Sequence, residues 1–194
     1  MLFEALNFIV QQLDGYLLRL DRPTYRPFLG NIALQDGQNG TDEQDVDDKL
    51  VVSLISIEEE KTLKNETSYR RVGREVVKQN PPIFLNLHVL FSSNIADYQE
   101  ALRALSLVIQ FFQLRTTFSA EQHAALRTAG IEKLNFEIVD LSFEQTYNLW
   151  GVLGSKLVPN ILYKVRVVAI QGAPVQEAGM VSEIVVTDKS IIQE

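Results

Sequence analysis

Few side chains in this sequence are placed to do chemistry. The 194 residues contain no cysteine, which excludes a disulfide scaffold, a thiolate metal site and a cysteine nucleophile. The two histidines, His88 and His123, are too few for a histidine-rich metal site, and no G-x-S-x-G motif supplies a nucleophile for either. His88 falls in a predicted strand and His123 in a predicted short helix. We expect both to be hydrogen-bonded or surface residues without a catalytic role.

Carboxylates and one glycine-containing segment are the remaining candidates for cofactor chemistry. The largest acidic cluster comprises Asp42, Glu43, Asp45, Asp47 and Asp48. Neither this cluster nor Glu58-Glu59-Glu60 has the spacing of an EF-hand calcium loop, and residues 151–156 depart from the phosphate-loop pattern. We therefore predict no metal, cofactor or small-molecule substrate. A carboxylate-only active site, with Glu58 or Glu59 opposite Asp140, remains an alternative.

Charge is distributed unevenly along the chain. Residues 1–60 carry 12 acidic and four basic side chains, whereas residues 61–80 carry six basic and two acidic ones. The basic patch consists of Arg70, Arg71, Arg74 and Lys78. A net charge of −7 disfavours binding to nucleic acid or to an anionic membrane. Two interpretations remain, namely a solvated surface, or two oppositely charged faces that dock against neighbouring subunits.

Hydrophobic periodicity predicts the elements that position these groups. Apolar residues at three- and four-residue steps predict helices over 2–20 and 96–113, and apolar runs predict strands over 50–57, 83–91 and 134–141. We expect strand 50–57 to lie mid-sheet with both faces covered. These elements describe a single α+β domain over 1–194, with a mainly antiparallel or mixed sheet of about five strands and three or four helices packed on it.

Local signals predict where helices begin and which side chains are buried. Ser119-Ala120-Glu121-Gln122 and Ser142-Phe143-Glu144-Gln145 fit capping boxes, so a helix is expected to begin at each serine. Phe136 and Ile138 are expected to face inward. Trp150 is expected to pack in the core, with a protein–protein hot spot as the alternative.

The connecting segments are distinctive. We predict a long acidic loop over 21–48, a polar edge strand or a hairpin arm over 68–78, and a C-terminal hairpin of strands 161–170 and 181–187. A C-terminal tail over 188–194 follows, and we expect its apolar pair, Ile191 and Ile192, to contact a neighbouring subunit. The N-terminus lacks the pattern of a signal peptide, so we expect synthesis and folding in the cytoplasm.

Three stretches together resemble one protein family. The first is 51–63 (VVSLISIEEEKTL). The second is 82–91 (PIFLNLHVLF), which continues through 98–102 and 111–113. The third is 148–154 (NLWGVLG), followed by Pro159 and 163–166. The combination is similar to the cap, or tail-terminator, family of contractile injection systems, which are phage-tail-like particles that drive an inner tube through an envelope. The resemblance covers nearly the whole chain, but Asn160 departs from the serine expected after the proline.

The resemblance implies a structural protein that is not an enzyme. Such a cap closes the baseplate-distal end of the sheath and inner tube, ends polymerisation and couples sheath to tube. It implies a homo-hexameric ring with sheath and tube proteins as partners, assembled in the cytoplasm as part of a particle that is released or stays with the cell. The alternative is a small cytoplasmic adaptor module with no role in a particle.

Overall fold

The structure, a computed structural model, describes residues 1–34, 46–60, 69–72, 75–78 and 84–169. Its helices are α1 (Leu2–Arg19), α2 (Tyr98–Leu114), α3 (Ala124–Thr128) and α4 (Phe143–Leu153). Its strands are β1 (Pro27–Leu29), β2 (Leu50–Glu59), β3 (Tyr69–Val72), β4 (Glu75–Lys78), β5 (Phe84–Ser93), β6 (Thr117–Ser119), β7 (Ile131–Val139) and β8 (Asn160–Ala169). None of the described helices is long and apolar enough to cross a membrane.

Six of the strands form one mixed sheet, which confirms the α+β prediction. Its order is β1-β2-β5-β8-β7-β6. The β1–β2 pair is parallel and every other pair is antiparallel. Strand β2 lies inside the sheet as predicted, with Leu50 and Val52 in the core on one face and Val51 in the core on the other. Hydrophobic side chains on both faces require a cover on each side.

Helices α1, α2 and α3 contribute the apolar side chains that cover the first face. The centre of this core is aromatic, with Phe112 stacked on Phe136 at 4.4 Å between ring centroids and close to Phe91 and Tyr163. Burial raises the pKa of the Tyr163 hydroxyl to about 12, so this side chain is neutral at physiological pH. Helix α2 begins where Asp97 accepts hydrogen bonds from the backbone amides of Gln99 and Glu100, at 2.8 and 3.1 Å.

Helix α4 covers part of the second face. Trp150 is buried there among Ile32, Val51, Leu90 and Leu162, which confirms its place in the core. The second capping box forms as predicted, since Ser142 Oγ accepts from the Gln145 amide and Gln145 Oε1 accepts from the Ser142 amide. The helix ends at Gly154, which adopts the left-handed conformation that favours glycine, with φ of +67°.

The prediction of a continuous loop over 21–48 is wrong in its first half. Pro27–Leu29 forms β1 along β2, and short 3₁₀ turns at Pro23–Tyr25 and Ile32–Leu34 flank it. Proline suits β1 because this strand is at the edge of the sheet, where a missing amide costs no ladder hydrogen bond. Tyr25 is buried, and its hydroxyl donates a hydrogen bond to Glu100 of α2. Residues 35–45 lie outside the described part of the chain.

Ser53 fixes this segment to the sheet, and its removal gives a testable effect. Its buried Oγ donates to the Gly30 carbonyl at 2.7 Å and accepts from the Ile32 amide at 3.1 Å. Replacing Ser53 by alanine leaves two backbone groups without a partner, so we expect the free energy of unfolding to fall by about 2 kcal/mol in urea titrations. Ser56→Ala is the matched control, since it removes a hydroxyl with a more exposed hydrogen bond, and a change as large as that of Ser53→Ala would contradict this account.

Three local predictions are wrong for tertiary reasons. The expected helix start at Ser119 is replaced by the end of β6, because Ser119 pairs with Lys133 and the next amide, of Ala120, donates to the Glu132 carbonyl. Helix α3 begins only at Ala124. Ile57, in the strand predicted to be covered on both faces, is exposed because a bulge between Leu54 and Ser56 shifts the register of β2. Ile138, predicted to face inward, is exposed near the end of β7.

Strands β3 and β4 form a two-stranded antiparallel sheet that is separate from the six-stranded one. Tyr69 is paired with Lys78, and Val72 with Glu75. The hairpin-arm alternative for 68–78 is therefore confirmed. The strand predicted over 181–187 and the tail over 188–194, with Ile191 and Ile192, lie outside the described residues, as do Asp42, Glu43, Asp45 and Arg74.

Candidate assembly surface

The two histidines have structural environments. His88 Nδ1 lies 3.0 Å from the Ser56 hydroxyl of the neighbouring strand, as expected for a hydrogen-bonded residue. Within the described residues no carboxylate is hydrogen-bonded to His88, so this serine–histidine pair has no third group to orient it. The His123 ring packs edge-on against Phe8 at 5.1 Å and near Phe118 at 5.6 Å, and burial lowers its pKa. Neither arrangement supplies a catalytic base.

The carboxylates of the alternative active site are not brought together. Glu58 of β2 pairs with Asn86 of β5. Asp140 follows Val139 of β7, which pairs with Leu162 of β8. Leu162 pairs in turn with Leu90 of β5, and Leu90 with Ser53 of β2, so Asp140 is near the Ser53 end of β2 and not the Glu58 end. Three strand spacings of about 4.8 Å and several residues of about 3.3 Å along the strands therefore separate the two carboxylates. Paired acid catalysis needs carboxyl groups within roughly 10 Å. In the described part of the chain, no group of acidic or histidine side chains could hold a metal ion.

Asp47 and Asp48, the described members of the acidic cluster, bind the turn between β5 and α2. Asp48 Oδ1 accepts from the Ala96 amide at 3.2 Å, and the Asp48 amide donates to the Asn94 carbonyl at 3.0 Å. Asp47 Oδ1 accepts from the Asn94 side chain at 3.3 Å. These contacts place two carboxylates beside the start of α2, next to the capping Asp97. Asp47 and Asp48 thus contribute negative charge to one end of the sheet.

Three large apolar side chains of α4 are exposed. Phe143, Tyr147 and Val152 are 98%, 79% and 88% exposed. Phe143 and Tyr147 share one side because they are four residues apart. Leu149, Trp150 and Leu153 anchor the helix on the sheet, and Val152 lies on the other side of the helix from Phe143, two and a half turns later. Large side chains exposed together in this way are characteristic of a protein–protein contact surface.

Phe143 also lines an open cleft of about 430 Å³. Its lining includes Tyr98, Leu141, Phe143, Leu157 and Pro159. The Ser93 amide donates to the Pro159 carbonyl at 2.9 Å, which places the cleft at the end of the sheet where β5 finishes. We refer to the cleft together with Phe143 and Tyr147 of α4 as the α4 surface.

Carboxylates border the α4 surface on two sides. Asp47, Asp48 and Asp97 lie at the turn that leads into Tyr98, and Asp140 and Glu144 flank the start of α4. An aromatic surface with an acidic border suits a partner that presents apolar and basic side chains. Sequence analysis identified the acidic cluster but not this cleft. The sequence offered little signal for it, because Phe143 and Tyr147 share the helical spacing of Trp150 and their exposure depends on how α4 lies on the sheet.

Comparisons with known proteins found one matching family and similar solved structures. A family model described as the Pvc16 N-terminal domain matches residues 6–183. The fold is similar to the PVC sheath/tube terminator of an extracellular contractile injection system in its extended state, with a TM-score of 0.63 and 14% identity over 96% of this chain. It is also similar to the tube-terminating cap of the anti-feeding prophage, with a TM-score of 0.59 and 16% identity over 93% of this chain.

This chain is shorter than both of these structures. This chain spans 64% of the length of the first structure and 59% of the second, so each neighbour contains a part without a counterpart here. A comparison with curated proteins found no match. At these identities the two structures establish a shared fold.

Proposed function

We propose that this chain, which belongs to the Pvc16 N-terminal domain family, is a structural terminator that closes the end of the sheath and inner tube of a contractile injection system. The observation that carries the proposal is the match of nearly the whole chain to that family, together with the fold shared with a sheath/tube terminator and a tube-terminating cap. In this role the protein ends polymerisation at the baseplate-distal end and couples the sheath to the tube.

The surface chemistry supports a structural rather than an enzymatic role. The α4 surface exposes aromatic side chains with an acidic border, whereas the carboxylates and histidines considered for catalysis are dispersed or packed. A ring that caps a tube is a closed assembly in which each subunit presents two different faces. The acidic and basic segments found in the sequence supply two such faces, and we propose a homo-hexamer assembled in the cytoplasm. The C-terminal pair Ile191 and Ile192 is proposed as a further contact between subunits.

The function predicts a large change in particle length. Particles assembled without this chain should have tubes of widely distributed lengths, because nothing ends polymerisation, and co-expression of the chain should restore a narrow distribution. Negative-stain electron microscopy of several hundred particles measures both distributions. Ser106→Ala, on the exposed side of α2, is a control that should restore length as well as the parent does. Identical length distributions with and without the chain would favour the adaptor alternative.

A further inference from the structure

Five large apolar side chains are exposed around the cleft of the α4 surface. Tyr98, Phe143 and Leu157 line the cleft itself. Leu102 follows Tyr98 by one turn on the same side of α2, and Tyr147 follows Phe143 by one turn on α4. Apolar side chains from two helices and from the loop after α4 therefore converge at one place. Such a concentration is characteristic of a protein–protein contact.

The charged groups beside these side chains are mainly carboxylates. Asp97 directly precedes α2, and Asp140 and Glu144 flank the start of α4, all three being exposed. The segments that form the cleft, 96–98, 140–147 and 156–160, carry these three carboxylates and one basic residue, Lys156. The two aspartates at the turn before α2 add to the negative charge. The border of the apolar cleft is therefore acidic.

The starts of α2 and α4 lie at the cleft, and the start of a helix generally attracts an anion. Here the chain itself supplies the groups that bond there. Asp97 accepts from the amides of Gln99 and Glu100, and Ser142 accepts from the amide of Gln145. These amides are already bonded, and the carboxylates of the border repel an incoming anion. A partner with lysine or arginine is therefore favoured over one with phosphate or carboxylate groups.

A second copy of this chain is a poor match for the α4 surface. Face-to-face contact would oppose two acidic borders, and the chain as a whole has a net charge of −7. Three described arginines also contact carboxylates of their own chain, namely Arg26 with Asp14, Arg103 with Glu100 and Arg166 with Glu60. The basic side chains that complement the border are therefore expected from a different protein.

We propose that the α4 surface binds a segment of another protein in which an apolar side chain is flanked by lysine or arginine. The apolar side chain occupies the cleft against Phe143 and Leu157, where contact removes apolar area from water. The basic side chains lie against the ring of Tyr147 and beside Asp140 and Glu144. The inference deepens the proposed function, since in an assembled particle the partner is a component of that particle. Binding of such a segment to the isolated chain does not depend on that function.

Two fluorescent peptides test this chemistry with the isolated chain. One has leucine and phenylalanine flanked by arginines, and in the other every arginine is replaced by glutamate. Fluorescence anisotropy should show at least about tenfold tighter binding of the basic peptide. Phe143→Ser with Tyr147→Ser should weaken that binding at least about tenfold. Phe3→Ser, which removes an exposed aromatic ring from α1, is the matched control and should leave it unchanged.

A charge-reversal pair separates the acidic border from the net charge of the chain. Asp140→Lys with Glu144→Lys should abolish the preference for the basic peptide. The matched control, Glu121→Lys with Glu132→Lys, changes the net charge equally at exposed positions near the other end of β7 and should retain the preference. The proposal is overturned if both peptides bind equally or not at all, if both reversals have the same effect, or if binding survives loss of the two aromatic rings.

Photocross-linking identifies the partner in assembled particles. A chain with Tyr147→p-benzoylphenylalanine is assembled and irradiated, and mass spectrometry then identifies the cross-linked peptide. We expect a segment of another protein with lysine or arginine beside an apolar residue. Gln122→p-benzoylphenylalanine, exposed near the start of β7, is the control and should not label that segment. A cross-link to a second copy of this chain or to an acidic segment, or none at all, would contradict the proposal.

The outcomes also separate this proposal from the proposed function. Normal control of tube length by a chain whose α4 surface fails the peptide tests overturns the docking and leaves the terminator function intact. Selective binding of the basic peptide by a chain that does not affect tube length supports the docking and contradicts the terminator function.

Discussion

Replacement of Phe112 by alanine is expected to lower the free energy of unfolding by about 3–5 kcal/mol. Phe112 is 2% exposed and is the centre of the aromatic core. Its ring contacts those of Phe91, Phe136 and Tyr163 at centroid distances of 5.4, 4.4 and 4.7 Å. The three partners belong to adjacent strands β5, β7 and β8, so loss of the ring leaves a cavity that a rigid sheet cannot readily fill.

Urea unfolding followed by circular dichroism measures this effect. Leu114→Ala is the matched control, because Leu114 is on the same helix two residues later and is 72% exposed. Its substitution should change the free energy of unfolding by no more than about 0.5 kcal/mol. A loss below about 1 kcal/mol for Phe112→Ala would show that the core repacks around the missing ring, contrary to this account.

The elements that carry strong local signals could be predicted from the sequence. Helix α4 has both its capping box at Ser142 and its glycine stop at Gly154, and these signals depend only on neighbouring residues. Strands β2 and β5 are long and apolar enough that no other assignment competes. For these segments, local preference and tertiary packing favour the same structure.

Segments whose structure depends on distant residues could not be predicted. Strand β1 has three residues and exists because β2 offers a parallel edge and Ser53 binds the adjacent backbone. Ser119 satisfies the local pattern of a helix start, but pairing with Lys133 in β7 fixes it in a strand. In both cases a contact with another strand outweighs a local preference worth about 1 kcal/mol.

Of the candidate surface, the sequence indicates the acidic residues but not the cleft. The acidic cluster around Asp47 and Asp48 is evident in the sequence, as is the basic segment that forms β3 and β4. The cleft depends on the turn from Ser93 to Tyr98 lying beside Pro159, and the chain separation between these residues gives no local signal. The exposure of Phe143 likewise follows from how α4 lies on the sheet, which Trp150 determines.

Replacement of Trp150 by alanine is expected to release α4 from the sheet. Trp150 is 5% exposed, and it is the buried residue through which α4 contacts Ile32, Leu90 and Leu162. Loss of the indole should lower the free energy of unfolding by about 3–5 kcal/mol. Because α4 has few other anchors, local opening of this helix should precede global unfolding.

Amide hydrogen exchange distinguishes this local release from a general loss of stability. In Trp150→Ala the amides of α4 should exchange faster than global unfolding of that variant allows, while those of α2 should exchange only through global unfolding. Trp150→Phe should retain most of the packing, since the indole Nε1 has no hydrogen-bond partner among the described residues. Val152→Ala, 88% exposed on the same helix, should change stability by no more than about 0.5 kcal/mol. Unchanged exchange in α4 would mean that Leu149 and Leu153 suffice to hold the helix on the sheet.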